Sequence, residues 1–62
     1  MFYVVNWLKG QEVVATTKFE HLLEAKAYAK DRLHVYRVRR GVTAAVVADV
    51  EGVTYFRLGD QA

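Results

Sequence analysis

The chain predicts an α+β fold: a four-stranded, mostly antiparallel sheet with one helix packed on one face, in the order ββαββ. Three observations predict it. Each end of the chain carries two stretches rich in β-branched and aromatic residues, separated by a glycine-containing turn. The middle carries one long stretch whose apolar residues recur at helical spacing. The whole is 62 residues, enough for a single domain, residues 1–62.

The elements follow in order. "FYVVNWL" has no breaker and reads as a strand over Phe2–Leu8. "KGQE" supplies a two-residue turn, and Glu12–Thr16 returns as the second strand of a hairpin. Thr17 followed by Glu20 matches a capping box, which would start the helix there. At about 100° per residue, Leu22, Ala25, Ala29, Leu33 and Tyr36 share one side, with Phe19 at its edge. Gly41 suits a left-handed residue just past the helix end, so the helix is expected to run to about Arg39. "VTAAVVADV" and "VTYFRL" flank "EG" and form the second hairpin. The strand order is left open by these patterns.

Pairing across "EG" sets Val50 opposite Val53, Ala48 opposite Tyr55 and Val46 opposite Arg57. One helix covers one face only. Ala45, Val47, Phe56 and Leu58 are assigned to it, because Arg57 on the alternate face is costly to bury. The uncovered face then carries Val42, Ala44, Val46, Ala48 and Tyr55. In the first hairpin both alternating sets are largely apolar. Tyr3, Val5 and Trp7 are taken as outward, since Tyr and Trp suit half-wet interfaces. A solvated antiparallel face normally alternates apolar with polar, and this one does not. The expectation is a homodimer, with Tyr3, Val5, Trp7, Val42, Ala44, Val46, Ala48 and Tyr55 as its face. The alternative is that sheet twist hides much of this surface.

Composition narrows the chemistry. A chain this short buries only about 60% of the surface it exposes when unfolded, so small domains often rely on a disulfide, a metal or a partner. Cysteine is absent, which removes the disulfide. His21 and His34 lie about 140° apart on a helix and share no ligand. Serine is absent too, so neither Ser nor Cys nucleophiles exist. The four glycines are scattered without phosphate-loop spacing. Asp49 and Glu51 sit beside a turn, where carboxylates are ordinary. No enzyme, cofactor, metal or small-molecule substrate is expected. The amino terminus lacks a signal-peptide pattern, and no apolar run approaches the ~20 residues of a membrane span, so a soluble cytoplasmic protein is expected.

Charge is concentrated. "RLHVYRVRRG" holds Arg32, Arg37, Arg39 and Arg40, four of the nine basic residues, and the rest of the chain sums to −2 against a net charge of +2. Two readings apply. The arginines complement the negative end of a helix macrodipole, or, interleaved with Tyr28 and Tyr36, they contact an anion or nucleic acid. The helix end is the favoured reading, and nucleic acid is the second partner weighed.

"FEHLLEAKAYAKDRL", followed by "RRG" and a valine-rich hairpin, resembles small uncharacterised bacterial proteins of ββαββ pattern. That resemblance implies a fold and a bacterial origin, and carries over no functional residue.

Overall fold

The computed structural model describes residues 2–59. Its elements are β1 (Tyr3–Lys9), β2 (Glu12–Phe19), α1 (Leu22–Arg40), β3 (Ala44–Asp49) and β4 (Thr54–Gly59). The strands form one antiparallel sheet in the order β2-β1-β3-β4. Thus β1 and β3 are central, β2 and β4 are edges, and α1 crosses from one edge to the far side of β1. This is the expected α+β arrangement of ββαββ order.

The helix begins later than the Thr17–Glu20 pattern suggests. Thr17 lies within β2 opposite Val5, and pairing continues to Phe19 opposite Tyr3. His21 is the N-cap residue, without a side-chain cap bond, and its carbonyl accepts the first helical bond from Ala25 at 3.1 Å. A cap is worth on the order of 1 kcal/mol. Several further cross-strand pairs built from Thr16, Thr17 and Phe19, residues that favour strands, outweigh it. The other end matches the sequence to within a residue. Gly41 adopts φ 71°, and its N–H donates to the Arg37 carbonyl at 3.1 Å, closing α1 after Arg40.

The core lies between α1 and the sheet. Val5, Trp7, Ala25, Ala29, Val42, Ala45 and Val47 are its buried residues, with Leu22, Leu33, Tyr36, Phe56 and Leu58 packed against them. Ala25 and Ala29 let the helix approach closely, since their side chains end at Cβ. Ala45, Val47, Phe56 and Leu58 face the helix as expected.

The first hairpin is turned the other way. Tyr3, Val5 and Trp7 point toward the helix, not outward, because β1 pairs with β3: Val5 lies opposite Val47 and Trp7 opposite Ala45. Directly opposed residues share a face, so once Ala45 and Val47 are inward, Val5 and Trp7 are too. Val42 is also inward. It precedes β3, so strand alternation does not govern it, and its N–H reaches back to the Tyr36 carbonyl at 3.4 Å. Tyr55, the fifth residue expected on the outer face, is displaced as well. Val47 pairs with Phe56 and Ala48 with Thr54, which leaves Tyr55 as the extra residue of a bulge. Its ring meets Tyr3 edge-on with centroids 5.6 Å apart, and Tyr3 packs against the helix-side core. A second bulge sits on β2, where Val14 is extra between the Trp7–Ala15 and Leu8–Val13 pairs.

Candidate functional site

The face away from the helix is built from four strands. Register places Leu8 beside Ala44, Asn6 beside Val46 and Val4 beside Ala48. Outside them stand Val13, Thr16 and Lys18 on β2 and Thr54 and Arg57 on β4. Of the face expected from sequence, Ala44, Val46 and Ala48 stand here. Val4 and Leu8, expected inward, join them. Their outward placement follows from the β1–β3 adjacency, which no local pattern encodes.

Ala44, Val46 and Ala48 are 0%, 9% and 5% exposed, although the one described helix lies on the other face. Each has its sheet neighbours alongside: Leu8 beside Ala44, Asn6 and Arg57 beside Val46, and Val4 and Thr54 beside Ala48. Val4, Asn6 and Leu8 on β1 are half-buried. The accessible apolar surface of this face is therefore offered by Val4 and Leu8 on β1. Asn6 is engaged in plane, its Oδ1 accepting from Thr16 Oγ1 at 2.9 Å. Phe2, 41% exposed, extends this surface, with Lys18 Nζ 5.1 Å from its ring centroid. Val13 adds an apolar flank at 50% exposure.

The arginine cluster is divided by the helix. Arg37, Arg39 and Arg40 all occupy its last turn, beside the negative end of the macrodipole. Their side chains do not form one patch. Arg32 lies over the Tyr28 ring at 5.6 Å and Arg40 over the Tyr36 ring at 5.8 Å. Arg37 turns toward β4, where its guanidinium comes within 3.3 Å of the point a Cβ would occupy at Gly59. Lys26 is on that flank as well, 5.0 Å over Phe56. Arg39 is exposed.

Beneath the tyrosines is an aromatic cluster. Trp7 meets Tyr36 at 4.3 Å and Tyr28 at 6.0 Å, and Phe19 meets Tyr28 at 5.0 Å. The Tyr28 and Tyr36 hydroxyls are 3.4 Å apart. Their mutual hydrogen bond and partial burial raise the Tyr36 pKa above the ordinary phenol value, so Tyr36 is neutral at physiological pH. The buried Trp7 Nε1 has no hydrogen-bond partner. The four-residue spacing of Tyr28, Arg32, Tyr36 and Arg40 was visible in the sequence as one helical line.

Asp49 is the one buried carboxylate among the described residues, and its role is structural. Its Oδ1 accepts from the Glu51 and Val53 N–H groups at 2.8 and 3.0 Å, and its Oδ2 accepts from the Tyr55 hydroxyl at 3.1 Å. The Asp49 N–H also donates to the Val53 carbonyl at 3.0 Å. The β3–β4 connection is therefore a loop wrapped around this side chain, not the Val50–Val53 pairing expected from "EG". The backbone donor at Val53 and the other hydrogen bonds hold its carboxyl pKa below the usual range.

Among the described residues, no group of three or more His, Cys, Asp or Glu could hold a metal ion, and no helix is long and apolar enough to cross a membrane. Comparison with protein-family models, with curated proteins and with solved structures finds no match.

Proposed function

We propose that the protein is a homodimeric interaction module whose interface is the sheet face away from α1. The observation that carries this reading is the uncharged face that β1 and β3 present away from the helix, Val4, Asn6 and Leu8 beside Ala48, Val46 and Ala44. In the order β2-β1-β3-β4 these two strands are central. A two-fold axis running between them stacks β1 of one protomer on β3 of the other, twice. Leu8 then comes level with the partner copy of Ala44, and Val4 with that of Ala48, by the pairing each has in its own sheet. A self-complementary patch is what an isologous interface requires. Lys18 and Arg57 fall at the rim, where charges stay hydrated.

Size sets the expected strength. Four strands about 4.8 Å apart, with six residues at about 3.3 Å each, present roughly 400 Å² in projection. A standard interface takes about 800 Å² from each partner. The dimer is accordingly expected in the micromolar range. The absence of cysteine suits a reducing compartment, and the cytoplasm is the location this reading assigns. Sedimentation velocity across a concentration series tests it: Leu8→Lys should give a monomer that keeps its fold. A wild-type chain that stays monomeric at millimolar concentration contradicts the proposal.

A further inference from the structure

We propose that Tyr28, Arg32, Tyr36 and Arg40 form a rail that binds the phosphate backbone of single-stranded nucleic acid. This site is on the helix side of the sheet, so it stands or falls independently of the dimer face. Three observations lead to it. First, Arg32 and Arg40 each lie over a tyrosine ring. A guanidinium placed over an aromatic ring loses some of its freedom, and its N–H fork matches phosphate oxygens two at a time. The contact of Arg32 Nε with Asp31 is 3.4 Å and exposed, so it competes weakly and leaves the terminal nitrogens of Arg32 available.

Second, the Tyr28 and Tyr36 hydroxyls meet at 3.4 Å. This is a long separation for two hydroxyls, whose bonds usually measure about 2.7–2.8 Å. Both can turn onto an incoming oxygen at little cost. Third, the Trp7 indole packs against both tyrosine rings and its buried N–H is unsatisfied. The fully buried indole backs both rings and so holds the tyrosines, with the guanidiniums over them, in one line.

The extent of the line selects the ligand. From Tyr28 to Arg40 is about 18 Å along the helix, and the two arginines are about 12 Å apart. A single phosphate does not span that distance, whereas successive phosphates of one strand do. Arg39, about 20° around the helix from Tyr28, extends the same flank. The tyrosine faces are already occupied by guanidinium, so the strand is held through its backbone without base preference.

The test is fluorescence anisotropy with a labelled oligothymidylate of about ten nucleotides. Emission from Trp7, the single tryptophan, serves as an internal probe. The wild type should bind with a micromolar Kd at low salt, and Trp7 emission should shift. Arg32→Gln/Arg40→Gln should weaken binding at least about tenfold and reduce the slope of log K against log salt by about 1.4. Tyr28→Phe/Tyr36→Phe should weaken it severalfold while far-UV circular dichroism stays unchanged. Lys30→Gln/Arg37→Gln removes the same charge from the opposite flank and should change affinity less than about threefold. No binding by the wild type at about 100 µM would sink the proposal. Equal loss in the opposite-flank variant would reduce the effect to net charge and overturn the rail. Equal or tighter binding of a duplex, or full displacement by millimolar inorganic phosphate at constant ionic strength, would overturn the assignment to a single strand.

Discussion

Ala45 and Val47 face the helix on β3 while Ala44 and Val46 face away, and all four are buried. The first pair is buried by another layer. Ala25 and Ala29 of α1 and the rings of Trp7 and Tyr36 pack on that side. The second pair is buried within its own layer, between β1 and the flanking edge strand. Low exposure thus has two physical meanings in one strand. On the inner side it reports apolar area transferred from water and packed at interior density. On the outer side it reports short residues screened by their neighbours within the same sheet.

Substitutions separate the two meanings. The largest effect should come from the inner side. Trp7→Ala removes the largest fully buried side chain, at a cost of about 3–5 kcal/mol. A domain of this size has roughly 3–9 kcal/mol of stability in all, so the variant should be largely unfolded by circular dichroism at 25 °C. A cooperative melt close to wild type would mean that Trp7 is not the centre of the core.

Outer-side changes should act on association. Val46→Lys places a cation in the middle of the outer face of β3, and its long side chain can reach solvent past the neighbouring strands. The far-UV spectrum should persist while the apparent mass halves. Unfolding of Val46→Lys with no folded monomer at any concentration would show that folding and association are coupled.

The β3–β4 loop gives a smaller and pH-dependent effect. Asp49 has a lowered pKa in the folded protein, so its contribution is present above the ordinary carboxylate pKa of about 3.9 and is lost as pH falls through the folded value. Asp49→Asn should lower the thermal midpoint at pH 7 and flatten its decline between about pH 5 and pH 2. An unchanged acid limb would place the pH dependence elsewhere.

Thr17→Ala should do least. Thr17 is a half-buried strand residue and not a helix cap, and a strand substitution of this kind falls within about 0.5 kcal/mol. A loss near 1 kcal/mol in urea melts would favour the capping role that its spacing from Glu20 suggests.

The same contrast explains what was legible in the sequence. The helix stripe, Gly41 as its stop, and the inward set Ala45, Val47, Phe56 and Leu58 are local patterns, and they were readable. The facing of Tyr3, Val5 and Trp7 depends on which strand lies beside β1. Both alternating sets of that strand are apolar, so composition carried no vote. The Tyr55 bulge escaped notice because one extra residue has no signature of its own in so short a stretch, although it turns Thr54 to the outer face beside Ala48. Thr17 misled because a cap motif is weak beside continued strand pairing. The divided arginines were half legible: the helical line from Tyr28 to Arg40 was present in the spacing, while the turn of Arg37 toward β4 required the sheet.

The proposed self-association through the outer face is a property of the molecule in solution. Sedimentation equilibrium of the wild type from micromolar to millimolar concentration, beside Leu8→Lys, tests it most directly. A self-complementary outer face should give a monomer–dimer equilibrium with a micromolar Kd, and a folded Leu8→Lys monomer throughout. A wild type that is monomeric over the whole range, or a Leu8→Lys chain that dimerises as strongly as wild type, would contradict it.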